Sequence, residues 1–305
     1  MGDTKKTVEA VANKSTITAQ VLGVAIAESD EALASGAAEG IKVSVVRDHL
    51  LAYPELWMDI YVEGSSYEER QFAEMFSRAR CKRAATPEEA DLVVFTGGPD
   101  VTPALYGEEP HSSTRVNRER DISDLKLFDF CRKEGIPMLG VCRGAQFGTV
   151  MHGGKLYQDV NEHYGDHGMY DRISGTVIPR VSSVHHQMAM DNQKNGMEIV
   201  ATSTKSTLRS LNDKDFQKGV GKDIEAFFYR ETCFFGVQGH PEYRRYNHFA
   251  KWTLDTIQNL IICNPDIESR DRQYRIKKDI VKQRAAGWKD IAGLNIPQVI
   301  SKGAN

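Results

Sequence analysis

The sequence predicts an α/β protein, a doubly wound, mostly parallel sheet flanked by helices, with a small antiparallel region added late in the chain. Three observations carry that expectation. "ADLVVFTGGPD" (90–100) is an unbroken apolar run ending in Gly-Gly-Pro, the pattern of a strand buried on both faces and followed by a tight loop. "DISDLKLFDFCRKEG" (121–135) has apolar residues at helical intervals, Asp121 or Ser123 to cap it and Gly135 to stop it. "IPMLGV" then reads as a strand and "GAQFGTVMHGG" as a helix ending in two glycines; strand and helix in alternation build a doubly wound sheet.

The remaining elements follow in order. Residues 1–40 are rich in Ala, Thr, Ser, Lys and Glu and read as an N-terminal arm. "EGIKVSVV" (39–46) and "MDIYVEG" (58–64) read as strands, the second closed by a Gly turn. "SYEERQFAEMFSRAR" (66–80) places Tyr67, Phe72, Met75 and Phe76 near helical spacing. Between about 155 and 235 come shorter strands, among them "GTVIPRV", "MEIVATS", "IEAFFYR" and "CFFGVQG". They form the expected antiparallel region that completes the site. "YNHFAKWTLDTIQNLI" (246–261) returns to helical spacing. These boundaries predict a folded domain over 41–264 and a basic tail over 265–305. Within the tail, "RDRQYRIKKDIVKQR" (270–284) reads either as a solvated surface helix or as a docking segment for a partner.

Composition narrows the classes of function. The 305 residues carry a net charge of -3, with 27% charged and 40% hydrophobic side chains. That balance supports a real core and gives no reason to expect nucleic acid as a partner. The five cysteines (Cys81, Cys131, Cys142, Cys233 and Cys263) are odd in number, widely spaced and without a C-x-x-C. Neither a disulfide framework nor a zinc site is expected, and a reducing, cytoplasmic setting is. No apolar run reaches the roughly 20 residues of a membrane span, so no membrane partner is expected. "VLGVAIA" (21–27) lies too far along and is too short for a signal-peptide core.

"GVCRGAQ" (140–146) sits where a strand meets a helix. Gly140 and Gly144 allow close backbone approach on either side of Cys142. The thiol is then presented at the carboxyl edge of the sheet, where open α/β sheets bind ligands. The helix start behind it offers free N–H groups and a positive dipole end, which favour a thiolate. The Arg143 N–H would face a developing oxyanion. This is the logic of the G-x-S-x-G nucleophile elbow with sulfur in place of oxygen.

"GVQGHPEYR" (236–244) supplies a base and an acid. Pro241 prevents a regular helix through His240 and Glu242, and an extended stretch places i and i+2 on one side. Glu242 is therefore expected to support His240, and His240 to take the proton of Cys142. The order Cys, His, Glu differs from the nucleophile, acid, histidine order of α/β-hydrolases. The spacing also lacks H-E-x-x-H.

Six blocks in matching order resemble the class I glutamine amidotransferase superfamily, and within it the γ-glutamyl hydrolase branch (peptidase family C26) that includes γ-glutamyl-γ-aminobutyrate hydrolase. They are "FTGGPDVTPALYGEEP" (95–110), "RERD" (118–121), "PMLGVCRGAQ" (137–146), "GGKLYQDV" (153–160), "SVHHQ" (183–187) and "GVQGHPE" (236–242). The resemblance implies a flavodoxin-like sheet and a triad of Cys142 as nucleophile, His240 as base and Glu242 as its orienting acid. It implies an oxyanion hole from Gly98 and the Arg143 N–H. Gly97, Gln146, His185, His186 and Gln187 would hold the glutamyl group; for His185 and His186 the other reading is a satisfied, partly buried pair. Arg118, Arg120 and Asp121 read as ties between loop and core. Gly239 departs from the pattern, which usually has Trp there, and so raises a question of pocket shape.

The chemistry implied is hydrolysis of a γ-glutamyl amide through a γ-glutamyl thioester, with no metal or organic cofactor required. Its alternative is a glutaminase subunit delivering ammonia to a separate synthetase. A third reading is a non-catalytic protein that keeps the fold. The arm and the basic tail are where a second copy or a synthetase would attach.

Overall fold

The computed structural model describes residues 52–263, except 162, 205–207, 211–215 and 219–222, with the backbone alone at 208–210 and 216–218. The expected arm, the strand over 39–46 and the tail over 265–305 lie outside the described residues.

The parallel half of the sheet comes first in the chain. Strand β1 (Asp59–Glu63) leads into helix α1 (Ser66–Ser77), then β2 (Lys82–Arg83), β3 (Leu92–Phe95), helix α2 (Arg118–Glu134), β4 (Met138–Val141) and helix α3 (Arg143–Met151). Next come β5 (Leu156–Tyr157), β6 (Asp159–Val160), β7 (His167–Asp171), β8 (Val177–Val181), β9 (Met188–Ala189) and β10 (Met197–Ser203). The chain continues through β11 (Leu208–Ser210), β12 (Phe216–Lys218), β13 (Ile224–Tyr229), β14 (Phe234–Val237) and helix α4 (Asn247–Ile257), which runs on into a π-turn over Gln258–Ile262.

Nine strands form one sheet in the order β2-β1-β3-β4-β14-β13-β10-β7-β8. β2, β1, β3, β4 and β14 pair in parallel. From β14 onward every pairing is antiparallel. The doubly wound expectation holds. The antiparallel strands extend the same sheet, and β14, the last strand in sequence, inserts beside β4 in parallel register. That insertion sets the end of β14, and so the His240 loop, next to the end of β4.

Both faces of the parallel half are covered. Leu92 and Val94 of β3 join a core containing Phe72, Met75 and Phe76 of α1 and Phe249 and Leu254 of α4. Val93 and Phe95 face the opposite way, toward Leu125 and Phe128 of α2 and Phe147 of α3. Alternate residues of one strand thus serve two cores. Phe95 and Phe147 stack with ring centroids 5.8 Å apart, and Phe128 meets Phe147 edge-on at 6.1 Å.

Helix ends follow local chemistry. α1 begins with a capping box, in which the Ser65 hydroxyl accepts from the Glu68 N–H and Glu68 accepts from the Ser65 N–H. Tyr67, counted with the apolar face in sequence, is 61% exposed. α2 starts three residues earlier than its spacing suggested, because the Asn117 side chain caps it by accepting from the Arg120 N–H. Asp121 is free for another role as a result. Gly135 ends α2 in the left-handed conformation at φ 67°, as expected of a glycine C-cap.

Candidate active site

Cys142 stands between β4 and α3 with φ 52° and ψ -109°. A non-glycine residue there is strained by roughly 1–3 kcal/mol, and such strain persists where the surroundings over-determine it. Here they do. The Cys142 N–H donates to the Val237 carbonyl at 2.8 Å, and its own carbonyl accepts from Gln146 N–H at 3.1 Å. One residue is therefore the last of the sheet ladder and the first of the helix.

Two glycines make the turn possible. A Cβ on Gly144 would lie 2.0 Å from the Phe95 carbonyl oxygen, and one on Gly140 would lie 2.6 Å from the Gly144 backbone. The start of α3 therefore rests directly on the ends of β3 and β4. Its first N–H, that of Arg143, has no partner within the helix. Past β3, Gly98 adopts φ 143°, which an L side chain rarely permits. A Cβ on Gly97 would lie 2.9 Å from His240 Cε1 and 3.9 Å from Cys142 Cβ. Gly97 thus packs flat against both groups.

His240 is brought to Cys142 by the end of β14. Its Nδ1 is 2.6 Å from Glu242 Oε1, and the Cys142 thiol is close enough to act on the charge of the ring. Burial opposes a charge on this imidazole. The neighbouring Cys142 and Glu242 outweigh burial and hold its pKa well above the ordinary histidine range. The pairing of His240 with Glu242 is as expected, but the backbone reaches it differently. Residues 241–245 turn, with the Tyr243 N–H directed at the His240 carbonyl at 3.5 Å, so a turn rather than an extended segment brings the acid round.

Two further residues position His240. The Ser182 hydroxyl accepts from the His240 N–H at 2.6 Å and donates to its carbonyl at 3.2 Å. The Tyr243 ring stacks on the imidazole, 4.6 Å away and within 5° of parallel. Neither was legible in sequence as part of a site. Ser182 adjoins the "SVHHQ" block and Tyr243 follows "HPE", and adjacency was the only signal.

The Arg143 side chain turns away from the thiol. It is 1% exposed, pairs with Asp121 at 2.5 Å and with Asp124, and stacks over Phe147. Asp124 also takes Arg120 Nε at 2.9 Å, and Arg120 reaches the Glu63 carbonyl and the Thr96 hydroxyl, each at 3.1 Å. Arg120 and Asp121 therefore tie the ends of β1 and β3 and the elbow to α2, while Arg118 is exposed.

The five residues expected to hold a glutamyl group separate. Gln146 is buried and donates to the Gln187 carbonyl at 2.7 Å; Gln187 is buried beside Thr114. His185 is buried, its Nδ1 2.9 Å from the same Gln187 carbonyl. Burial, then the charge of His163, pushes His185 down to about 3, so it is a neutral imidazole. Gly97 is the residue against His240 already described. His186 alone of the five lines an open cleft of about 280 Å³, with Ser113, Asp159, Val160, Asn161 and Tyr164. Its Nε2 is 3.1 Å from Asp100, and that bond raises its pKa against the opposing effect of burial. Tyr164, on the cleft wall, is within electrostatic reach of Cys142.

Gly239 is not a pocket residue. A Cβ there would lie 2.6 Å from the Ser182 carbonyl oxygen and 2.9 Å from the Phe249 ring. The glycine lets the His240 loop pack closely on Ser182.

Known proteins resemble this chain over the same region. The sequence model of the Peptidase C26 family matches residues 79–242. A Schizosaccharomyces pombe protein named "Putative glutamine amidotransferase PB2B2.05" is 30% identical over 53% of this chain, which spans 65% of that protein's length. Protein NtpR of Enterococcus hirae is 29% identical over 51% of this chain and 68% of its own. A Listeria innocua "GMP synthase [glutamine-hydrolyzing]" is 24% identical over 57% of this chain and 28% of its own. Among solved structures, a Thermotoga maritima glutamine amidotransferase covers 79% of this chain and 97% of its own at 15% identity, with a TM-score of 0.42, too low to carry weight.

Proposed function

The chain belongs to the peptidase C26 family, and from that premise we propose that it hydrolyses a γ-glutamyl amide bond through a γ-glutamyl thioester on Cys142. The observation that carries the proposal is Cys142 held at a left-handed elbow, with His240 between its thiol and the Glu242 carboxylate. A nucleophile, a base in reach of it and an acid orienting that base are the parts covalent acyl transfer needs.

The steps balance as follows. The Cys142 sulfur attacks the γ-carbonyl carbon, and its proton resides on His240. The tetrahedral oxyanion is taken by the Arg143 N–H and by the Gly97–Gly98 loop. As the carbon–nitrogen bond breaks, His240 gives its proton to the departing amine and the thioester forms. Water, deprotonated by His240, attacks the thioester; glutamate leaves and the proton returns to the thiol. A positioned base typically contributes about 10²–10⁴-fold and an oxyanion donor about 10²–10³-fold. Glu242 keeps Nδ1 protonated and so leaves Nε2 to exchange the proton with sulfur. His186 and the cleft beside it are the place for the remainder of the substrate.

The Listeria innocua relative, by its name a glutamine-hydrolysing synthase, favours a second reading, in which glutamine is the substrate and ammonia passes to a separate synthetase. Incubation of the purified protein with glutamine and with a panel of γ-glutamyl amides, assayed for glutamate, separates the two. Turnover of an extended γ-glutamyl amide well above that of glutamine supports the free-standing hydrolase. Turnover of glutamine alone supports the subunit, and release of glutamate from none contradicts both.

A further inference from the structure

We propose that His163, His167 and Glu225 form a buried binding site for a zinc-class divalent cation, bracing the segment that holds His240. The three side chains come from the loop before β7, from β7 itself and from β13, and each offers a ligand atom within 4.8 Å of the others. All three are buried, and Glu225 is 1% exposed. His167 Nε2 is 2.7 Å from Glu225 Oε1, and His163 Nδ1 is 3.9 Å from the same oxygen. Two ligands on a tetrahedral zinc, each about 2.0–2.1 Å from the metal, stand roughly 3.4 Å apart. Shifts of under 1 Å would bring each of these two pairs to that spacing, and the two imidazoles offer atoms within 4.8 Å of one another.

The surroundings have the character of a metal site. His163 Nε2 is 3.0 Å from Asp223 Oδ2, the carboxylate–histidine pairing that fixes the ring of a metal-bound imidazole. Among the described residues, Glu225 Oε2 is buried with no hydrogen-bond partner. His185 stands beside His163 with ring centroids 4.5 Å apart. Its Nδ1 faces the Gln187 carbonyl, an acceptor, so Nδ1 carries the proton and the buried Nε2, which has no partner among the described residues, keeps a bare lone pair. Glu225 brings a negative charge into a buried site, and a buried charge needs compensation. A dication with neutral imidazoles supplies it. Nitrogen and oxygen donors with no thiolate suit zinc, and full burial suits a structural rather than a catalytic ion.

The place of the cluster gives it a role. Ser183, whose hydroxyl is 3.1 Å from His163 Nδ1, follows Ser182, the residue bonded twice to the His240 backbone. The Glu225 carbonyl accepts from the Gln238 N–H at 2.7 Å, two residues before His240. An ion here would lock β7, β13 and the 182–183 segment behind the histidine. The cluster was not legible in sequence, where the search was for cysteine pairs and H-E-x-x-H. Its third ligand lies 58 residues after the second.

The test is zinc titration of the untagged full chain after chelation, followed by direct metal analysis, thermal unfolding and the cobalt spectrum. One zinc per chain is expected, with an unfolding midpoint that rises with free zinc and an affinity that rises with pH as the imidazoles lose protons. The cobalt form should lack sulfur-to-metal charge transfer. Cys142→Ala should bind equally, and Glu225→Gln should bind at least about 100-fold more weakly. Should Glu225→Gln fail to fold, the pH dependence and cobalt spectrum of the wild type decide. Absence of saturable binding, a sulfur band, loss of binding in Cys142→Ala or full binding in Glu225→Gln each overturns the proposal.

Discussion

Five cysteines sit in different environments, and the proposed mechanism assigns attack to Cys142 alone. Cys131 and Cys233 are buried in the core; burial pushes both thiols up, Cys233 to about 12. Burial also raises Cys81, and Cys263 is exposed away from any histidine pairing described. We predict that a glutamine-like electrophile labels Cys142 first, read by peptide mapping; faster labelling of another cysteine would remove the assignment. Cys142→Ala and His240→Ala should retain almost no turnover, whereas Glu242→Gln should fold normally and keep a fraction. Full activity in the Glu242 variant would take it out of the mechanism. The pH profile belongs at this scale too. His240 is raised, so its proton is fully present below about 6.5 and is lost as pH rises through the higher folded value. Any stability from its pairing follows the same direction. The rate of acylation, kcat/KM, should therefore fall on an alkaline limb above neutrality. Glu242→Gln removes one of the groups that raise the pKa, so its limb should shift to lower pH, and an unmoved limb would contradict this account.

The β4-to-α3 elbow is an element defined by what it lacks. Gly144 has no Cβ because the Phe95 carbonyl occupies its place. We expect Gly144→Ala to cost about 1–3 kcal/mol by overpacking and to reduce activity more than stability, since any relief must move Cys142. Chemical denaturation and kinetics on one preparation test that pair of effects. Beneath the elbow, Arg143 neutralises Asp121 and Asp124 in a site closed to water. Arg143→Met leaves buried Asp124 with Arg120 and buried Asp121 with only the Thr102 hydroxyl and N–H, and should cost about 3–5 kcal/mol. A loss below 1 kcal/mol would show that the network is not holding α2 to the sheet.

Across the whole molecule, the legible features were those written in local spacing. The strand-to-helix alternation, the glycines flanking Cys142 and the His-Pro-Glu run are contiguous in sequence, and the structure places them at one edge of the sheet. Long-range features were not legible. Nothing local says that β14 inserts in parallel beside β4, that Ser182 grips the His240 backbone or that His163 meets Glu225. Each depends on chain segments about 60 residues apart or more. The start of α2 was misplaced because Asp121, a good cap by type, is occupied by Arg143 and Thr102. The tail falls outside every block of the resemblance, and a chain ending near Pro265 is predicted to stay folded and to hydrolyse a small substrate at a similar rate. A large fall in unfolding midpoint with loss of activity would assign the tail to the fold. The most direct test of the central claim is hydroxylamine trapping during turnover of a γ-glutamyl amide. A thioester on Cys142 predicts γ-glutamyl hydroxamate formed at the expense of glutamate, with amine release undiminished and neither product in Cys142→Ala. Hydroxamate or glutamate formed at the wild-type rate by Cys142→Ala would contradict it.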